Sequence, residues 1–365
     1  MKGLYLCNHN LKDQSSGVSK KILMQLDAFN KSGYSIDILD IYSDSFLDKV
    51  IRRILFSPNY FTYNLNKKLN FVKKYDYIYI RQIPNNIYVL KILKKLKSYG
   101  ITIIYEFPTF PYDLNSNTLQ WKLELIRDKY SRKKLWKYID VSVNYSDYTN
   151  IFGINSIPIS NGINPDKFPI KKDFFNKKGI KFVGVALLAY WNGYDRLIQS
   201  IKKYNSNHIN PVYFYIVGDG DCKEELEKMV IDNNLLNFVF FTGSLFGKEL
   251  DNIYDKCDIG VGTLNPSRKY KNHIMSTLKT KEYVARGLPF IKGDIDKSFD
   301  NYNFPYVFNV SDNEDEINLE EIIEWYKKIT DDLNLKQKIR KFAYDNLTWE
   351  KQLHPVFEFL NEVKK

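Results

Sequence analysis

From residue 3 to about residue 310 the chain alternates short apolar runs with helical stretches, and this alternation limits the folds open to it more than any other feature. GLYLC (3–7) reads as a first strand. Val18, Ile22, Leu26 and Phe29 then recur at helical spacing, Ser32-Gly33 breaks the helix, and YSIDILDI is the next strand. DYIYIRQ, ITIIYEF and VSVNYS continue the series, separated by the helical NIYVLKILKKLKSYG and WKLELIRDKYSRKKLWKYID. The second half repeats the scheme through IKFVGV, VYFYIV, NFVFF, CDIGVG, FIKG and YVFNVSD, and ends in helices. A strand returned to its neighbour by a helix runs parallel to it, so the expected class is α/β with two doubly wound Rossmann-like domains. With 365 residues the chain can build two cores. SIPISNGINPDKFPIKK (156–172), with three prolines and an Asn-Gly, marks a boundary near Asp166, so that 1–165 form the first domain.

Composition enters where it separates function classes. No apolar run reaches the roughly 18 residues of a membrane span, and MKGLYLCNHN lacks a signal-peptide layout. Cys7, Cys222 and Cys257 form neither a disulfide framework nor a metal-ligand spacing, which suits a reducing cytoplasm, and the four histidines are scattered, so no zinc site is expected. Residues 1–165 hold 24 Lys and Arg against 13 Asp and Glu, which is the whole +11 excess of the chain. An excess confined to one half points to an anionic partner, either nucleic acid or an anionic membrane surface. No RNA-binding motif is present and the aromatic residues of this half fall inside helical patterns, so no nucleic acid is expected and a basic nucleic-acid-binding protein stands as an alternative. The membrane reading rests on Lys91, Lys94, Lys95 and Lys97 beside Ile87, Leu90, Leu93 and Leu96. It rests also on Arg52, Arg53, Lys67 and Lys68 around Phe56, Tyr60, Phe61 and Tyr63.

Residues 257–293 carry the site expectation. CDIGVG reads as a buried strand, the turn after it holds Arg268, Lys269 and Lys271, and Ser276 or Thr277 caps a helix that runs as far as Arg286. Gly287 and Pro289 end that helix and FIKG restarts a strand. A helix whose N-terminus faces the carboxyl edge of a parallel sheet is where such folds hold phosphates. Lys279 and Glu282, three apart, suit a diphosphate and ribose hydroxyls, or else form an ordinary solvated pair. Gly218 and Gly220 in VGDGD lack the third glycine of a dinucleotide fingerprint, and the loop reads as nucleotide-side rather than as a metal-binding DxD. EFPTFPYD (106–113) lies at a strand's carboxyl edge with a carboxylate at each end, either a site loop or a rigid surface turn. Gly17, after the first strand, either admits a ligand to the backbone or makes a tight turn.

LKTKEYVARGLPFI resembles the donor-site segment of GT-B glycosyltransferases of family 4, in the branch that assembles bacterial capsule, exopolysaccharide and O-antigen. Glu282, Gly287 and Pro289 match that segment, while its other acidic position falls on Ile274. Trp191, Gly193, Tyr194, Asp195 and Arg196 resemble the branch's version of the first donor turn, with Asn192 and apolar residues where other members carry Arg and Lys. The 106–113 loop, the 161–169 linker and TWEKQ near the end resemble the same enzymes. The resemblance implies two domains facing across a cleft, with 1–165 taking an acceptor, 166–340 a nucleoside diphosphate sugar, and 341–365 crossing back to the first domain. It implies retaining sugar transfer to a glycan or lipid-linked glycan, and the basic first half adds the expectation of a peripheral protein at the inner face of the plasma membrane. It also implies no cofactor and no bound metal, the diphosphate being stabilised by basic side chains and a helix terminus. The donor side would be Gly218, Gly220, Arg268, Ser276, Thr277, Leu278, Lys279 and Glu282. The acceptor side would be Gly17, Glu106, Tyr112 and Asp113, and the catalytic set Glu106, Asp113, Lys279 and Glu282. A nucleotide-sugar epimerase or hydrolase on the same fold is the other enzymatic reading.

Overall fold

The computed structural model describes residues 1–364 apart from 14–15, 43–68, 84, 113–118, 173–178 and 270–273. It comprises two compact units, Met1–Ser160 with Trp349–Lys365, and Asn161–Thr348. The sequence reading put the boundary near Asp166 and the start of the returning segment at 341.

In the first unit β1 (Lys2–Cys7), α1 (Gly17–Lys31) and β2 (Ser35–Asp40) form a βαβ unit. It is followed by β3 (Tyr77–Arg81), α2 (Ile87–Ser98), β4 (Thr102–Phe107), α3 (Leu119–Arg132), β5 (Val141–Asn144), β6 (Asn150–Ile151) and β7 (Ile154–Pro158). Among the described residues these make a seven-stranded sheet, ordered β2-β1-β3-β4-β5-β7-β6, parallel except for the β6–β7 pair. The strand period of two sends Leu4, Leu6, Ile78 and Ile80 to one face and Tyr5, Cys7, Tyr77 and Tyr79 to the other. Both faces are covered, as a parallel sheet requires. Helices start where their caps allow. Ser16 accepts from Ser19 N at the head of α1, and Asn86 accepts from Tyr88 N and Val89 N at the head of α2. β7 overlaps the start of the proline-rich stretch read as linker: Pro158 occupies its last position, where a missing N–H costs least.

Two membrane-facing expectations change here. Leu90, Leu93 and Leu96 are buried in the core of the first unit, so only Ile87 and Tyr88 remain as exposed apolar residues on α2. Lys97 pairs with Asp140. The basic and aromatic residues expected between 52 and 68 lie outside the described residues.

The second unit runs β8 (Ile180–Val185), α4 (Tyr194–Asn207), β9 (Val212–Val217), α5 (Lys223–Asp232), β10 (Val239–Gly243), α6 (Gly247–Lys256), β11 (Ile259–Val261) and α7 (Leu278–Ala285). It continues through β12 (Phe290–Lys292), α8 (Lys297–Asp300), β13 (Val307–Asn309), α9 (Leu319–Thr330) and α10 (Leu335–Asn346). Its six described strands are all parallel, in the order β10-β9-β8-β11-β12-β13. The order reverses between β8 and β11, and a crevice at the carboxyl ends of those strands is where a doubly wound sheet binds ligands. The chain then returns to the first unit as α11 (Trp349–Gln352) and α12 (His354–Lys364). There Trp349 and Phe357 are buried, and Phe357 stacks on Tyr34 with centroids 4.7 Å apart.

Candidate active site

At the switch point of the second unit, the turn after β8 is stitched to the segment after β11. Leu264 N donates to Asn192 O at 3.0 Å and Asn265 N to Trp191 O at 3.3 Å. Gly193 is left-handed, with φ 67, and a Cβ there would sit 3.0 Å from that of Leu264. The Trp-Asn-Gly-Tyr-Asp-Arg sequence is therefore scaffolding for Asn192. Tyr194 fills the core, Asp195 receives Arg268, and Arg196 ties down the carbonyls of Leu264, Ser311 and Asp315. Asn192 is buried, its amide fixed by Leu187 O at 2.8 Å, and its Oδ1 accepts from Lys279 Nζ at 3.2 Å.

Lys279 stands in the first turn of α7. Thr277 is the N-cap but makes no side-chain cap hydrogen bond, and the first turn holds no acid. Two lysines, Lys279 and Lys281, occupy that turn instead, at the positive end of the helix dipole where cations are unfavourable. Lys281 is neutralised by a fully buried pairing with Asp296. Lys279 makes no ion pair among the described residues. Burial pulls its ammonium below the usual lysine range, against the pull of nearby Asp294. Uncapped amides and an unpaired ammonium at one helix terminus are complementary to a polyanion.

The remaining donor-side residues divide. Arg268 is not available as expected. Nε and one Nη donate to Glu314, both Nη atoms donate to Asp195 at 2.8 Å, and Tyr190 O takes a further bond at 3.0 Å. All its donors are used, so it clamps the turn. Ser276 Oγ accepts from Asn161 N at 2.7 Å, holding the linker to the head of α7, and Thr277 Oγ1 meets Thr280 Oγ1 at 3.1 Å. Leu278 is the first helical residue. Glu282 turns to another cation. It accepts from Arg286 Nε at 3.0 Å, and Arg286 pairs with Asp251 at 2.7 Å. Glu282 keeps partial exposure, with a fifth of its side chain open. At Gly218 a Cβ would meet Ala186 O at 1.8 Å, and at Gly220 Leu188 O at 2.3 Å. These two glycines let one loop lie on another, which accounts for them without a phosphate. Asp219 is engaged by its own loop, through Gly220 N at 2.9 Å and Lys223 at 3.7 Å.

In the first unit the structure corrects two acceptor-side expectations. Glu106, on β4, is fully buried. It accepts from Arg81 on β3, from Tyr79 hydroxyl at 2.7 Å and from Gln25 Nε2 at 3.1 Å, with Lys21 Nζ at 3.8 Å. Burial alone would raise its pKa, yet Arg81, Lys21 and those hydrogen bonds hold it below the usual carboxylate range. It is a structural anion and no base for an acceptor. Tyr112 is buried too, its hydroxyl donating to Asp128 on α3 at 2.7 Å. Asp113 lies outside the described residues. Gly17 opens α1 where a Cβ would meet nothing within 4 Å, so the chain's own packing does not demand glycine there. Nearby His9 Nε2 lies 2.9 Å from Ser16 Oγ at the head of α1, a polar pair that the sequence reading passed over because a lone histidine carries no spacing signal.

Residues 166–273 match the family model described as "Glycosyl transferases group 1". The matched segment lies in the second unit. The match covers the Asn192 turn and the Gly218–Gly220 loop and stops short of α7, where the sequence reading placed the strongest likeness. A comparison with curated proteins finds no match. Solved structures agree on the GT-B glycosyltransferase fold. A glycosyltransferase from Rickettsia africae ESF-5 superposes with TM-score 0.68 at 15% identity, over 100% of this chain and 98% of that one. Anabaena Alr3699/HepE, solved in complex with UDP, gives 0.62 at 11%, over 99% and 100%. Sucrose-phosphate synthase from Thermosynechococcus elongatus gives 0.66 at 12%, over 99% and 98%. The group 1 segment thus sits in a chain whose whole length follows this fold.

Proposed function

We propose that the protein transfers a sugar from a nucleoside diphosphate sugar to a glycan or lipid-linked glycan of a bacterial surface polysaccharide, with retention at the anomeric carbon. The observation that carries this reading is the head of α7: an uncapped helix terminus and an ammonium without an ion pair, at the switch point of a group 1 segment. The diphosphate binds there, and Lys279 and the helix amides stabilise charge as the bond from phosphate oxygen to the sugar breaks. The acceptor hydroxyl forms the new bond and its proton passes to the departing phosphate. Glu282, partly open at the next turn, accepts from donor hydroxyls. A neighbour that holds UDP supports a nucleotide donor. The polysaccharide acceptor is supported by the likeness of the 106–113 loop and of the Asn192 turn to that branch. No group of three or more His, Cys, Asp or Glu placed to hold a metal occurs among the described residues, and the reading needs no metal or cofactor.

The first unit takes the acceptor at an anionic membrane surface on the cytoplasmic side. No described helix is long and apolar enough to cross a membrane. Docking would use the exposed Lys91, Lys94 and Lys95 with Ile87 and Tyr88 of α2, and Ile126, Tyr130 and Trp136 on and after the adjoining α3. Lys134 lies over the Tyr130 ring and Lys137 over that of Trp136, the mixture of cation and aromatic that suits a headgroup region.

The direct test is thermal shift with UDP, GDP and their sugars, run in EDTA. A ligand present at a hundred times its Kd stabilises by about 2.7 kcal/mol, which shifts Tm measurably. At least one nucleotide-sugar is expected to do so without added metal. Failure of the whole panel would remove the donor site, and a shift that appears only when magnesium or manganese is restored would return Asp219 and Asp221 as candidate ligands.

A further inference from the structure

Asn192 ends the turn after β8, and its backbone is held on both sides. Its N–H donates to Ala189 O at 2.8 Å, and its carbonyl accepts from Leu264 N at 3.0 Å. The side chain is set as firmly. Asn192 is 4% exposed, and its Nδ2 donates to Leu187 O at 2.8 Å. A carbonyl can only accept, so that bond decides which end of the amide is nitrogen and leaves Oδ1 to face Lys279 Nζ, 3.2 Å away.

An ammonium has three N–H donors. The bond to Asn192 uses one, and Lys279 Nζ donates to no other acceptor among the described residues, its further neighbour being the Tyr194 ring at 5.6 Å. Lys279 itself keeps partial exposure. The charged groups around it leave its charge standing. Asp294, just after β12, attracts it without forming an ion pair, Lys281 on the same helix is taken by Asp296, and Arg268 on the turn side is taken by Asp195 and Glu314.

The kind of acceptor at 192 matters here. A carboxylate would grip the ammonium harder and cancel its charge before a ligand arrived. An apolar side chain would return rotamer freedom to a long lysine, and binding would have to remove it again. An amide oxygen fixes the place and spares the charge. We propose that Asn192 is a positioning residue of the donor site, a neutral acceptor that holds the Lys279 ammonium in place and leaves its charge and its remaining N–H groups to the diphosphate. The inference rests on the donor-site reading given above. The bonds that stitch 191–192 to 264–265 then serve to place one oxygen atom.

Calorimetric titration with UDP, GDP and pyrophosphate tests this in wild type, Asn192→Leu, Asn192→Asp, Lys279→Met, Lys279→Arg and the Asn192→Leu/Lys279→Met double variant, each with a melting curve. Both substitutions at 192 give up the bond to Leu187 O, so damage to the turn is common to them and their difference reads the charge. Asn192→Leu should weaken binding about fivefold, and Asn192→Asp at least about twentyfold, because an ion pair then competes with the ligand. In the Lys279→Met background the Asn192→Leu change should matter by less than about twofold, since its effect passes through the ammonium. Lys279→Arg keeps the charge in a planar fork that does not seat on the amide oxygen as an ammonium does, and should bind at least about threefold more weakly. That variant leaves residue 192 untouched and carries the test if the turn does not fold without Asn192. Equal losses from Asn192→Leu with and without Lys279 would mark a structural role and overturn the assignment. So would Asn192→Asp binding as well as Asn192→Leu, or Lys279→Arg binding like wild type. Wild-type affinity in Lys279→Met overturns the placing of the diphosphate at α7, and a wild type that binds none of the three overturns the donor-site reading, and this assignment with it.

Discussion

Lys279 shows how much of a residue's role is decided by what does not surround it. Four basic residues between 268 and 281 are described, and each meets a different fate. Arg268 is spent on Asp195 and Glu314, Lys269 lies over the Trp191 ring at 3.7 Å, Lys281 is paired with Asp296, and Lys279 meets an amide oxygen and a ring face and no carboxylate in an ion pair among the described residues. A charge-assisted bond to a diphosphate contributes about 1.5–3 kcal/mol, so Lys279→Ala should lower donor-dependent turnover roughly 10- to 100-fold with the fold intact. Steady-state kinetics beside a melting curve checks this, and wild-type kinetics in a folded variant would remove Lys279 from the site. The affinity should also depend on pH with a definite sign. Burial lowers the pKa of Lys279 in the free protein, and a bound anion favours the charged form and raises it. Binding therefore takes up a proton, and nucleoside diphosphate affinity should fall as pH rises from neutral towards the ordinary lysine range. Calorimetry in two buffers of different ionisation enthalpy reads that proton directly, and release instead of uptake would contradict the assignment.

At the scale of elements, the alternation of strands and helices was legible because most strands are short apolar runs, several of them bounded by Gly or Pro, and the long helices carry an apolar stripe. β7 was hidden because its closing Pro158 opened a stretch that read as linker. The head of α7 was also legible, since the Gly287-Pro289 stop and the lysine in the first turn are local signals. What could not be read was pairing at long range. Arg268 meets partners 73 and 46 residues away, and Glu106 gathers Gln25 and Arg81 from 81 and 25 residues away. A carboxylate at a strand end looks the same in sequence whether it faces a ligand or closes a buried network. Glu106 binds β3, β4 and α1 together, and removing one partner of a buried ion pair costs about 3–5 kcal/mol. Glu106→Gln should accordingly lose stability of that order in urea denaturation. Acceptor KM in the protein that remains folded should not change. A stable variant with a raised KM would restore Glu106 to the acceptor side.

The whole molecule carries a net charge of +11, all of it arising in residues 1–165. Basic residues near an anionic leaflet contribute about 1 kcal/mol each, so changing Lys91, Lys94 and Lys95 together to Gln should weaken vesicle binding by roughly 100-fold. Sedimentation with phosphatidylserine vesicles should show binding that declines between low and physiological salt, and equal recovery on neutral vesicles would exclude the membrane role. The path of the chain has a consequence of its own. The core of the first unit includes Trp349, Leu353 and Phe357, which come after every residue of the second unit. A polypeptide emerging N-terminus first must therefore hold an open apolar face on its opening 160 residues while the next 188 are made. The unit that begins synthesis is the last to close, and a stop directly after Thr348 yields a finished second unit attached to a first one that cannot complete itself.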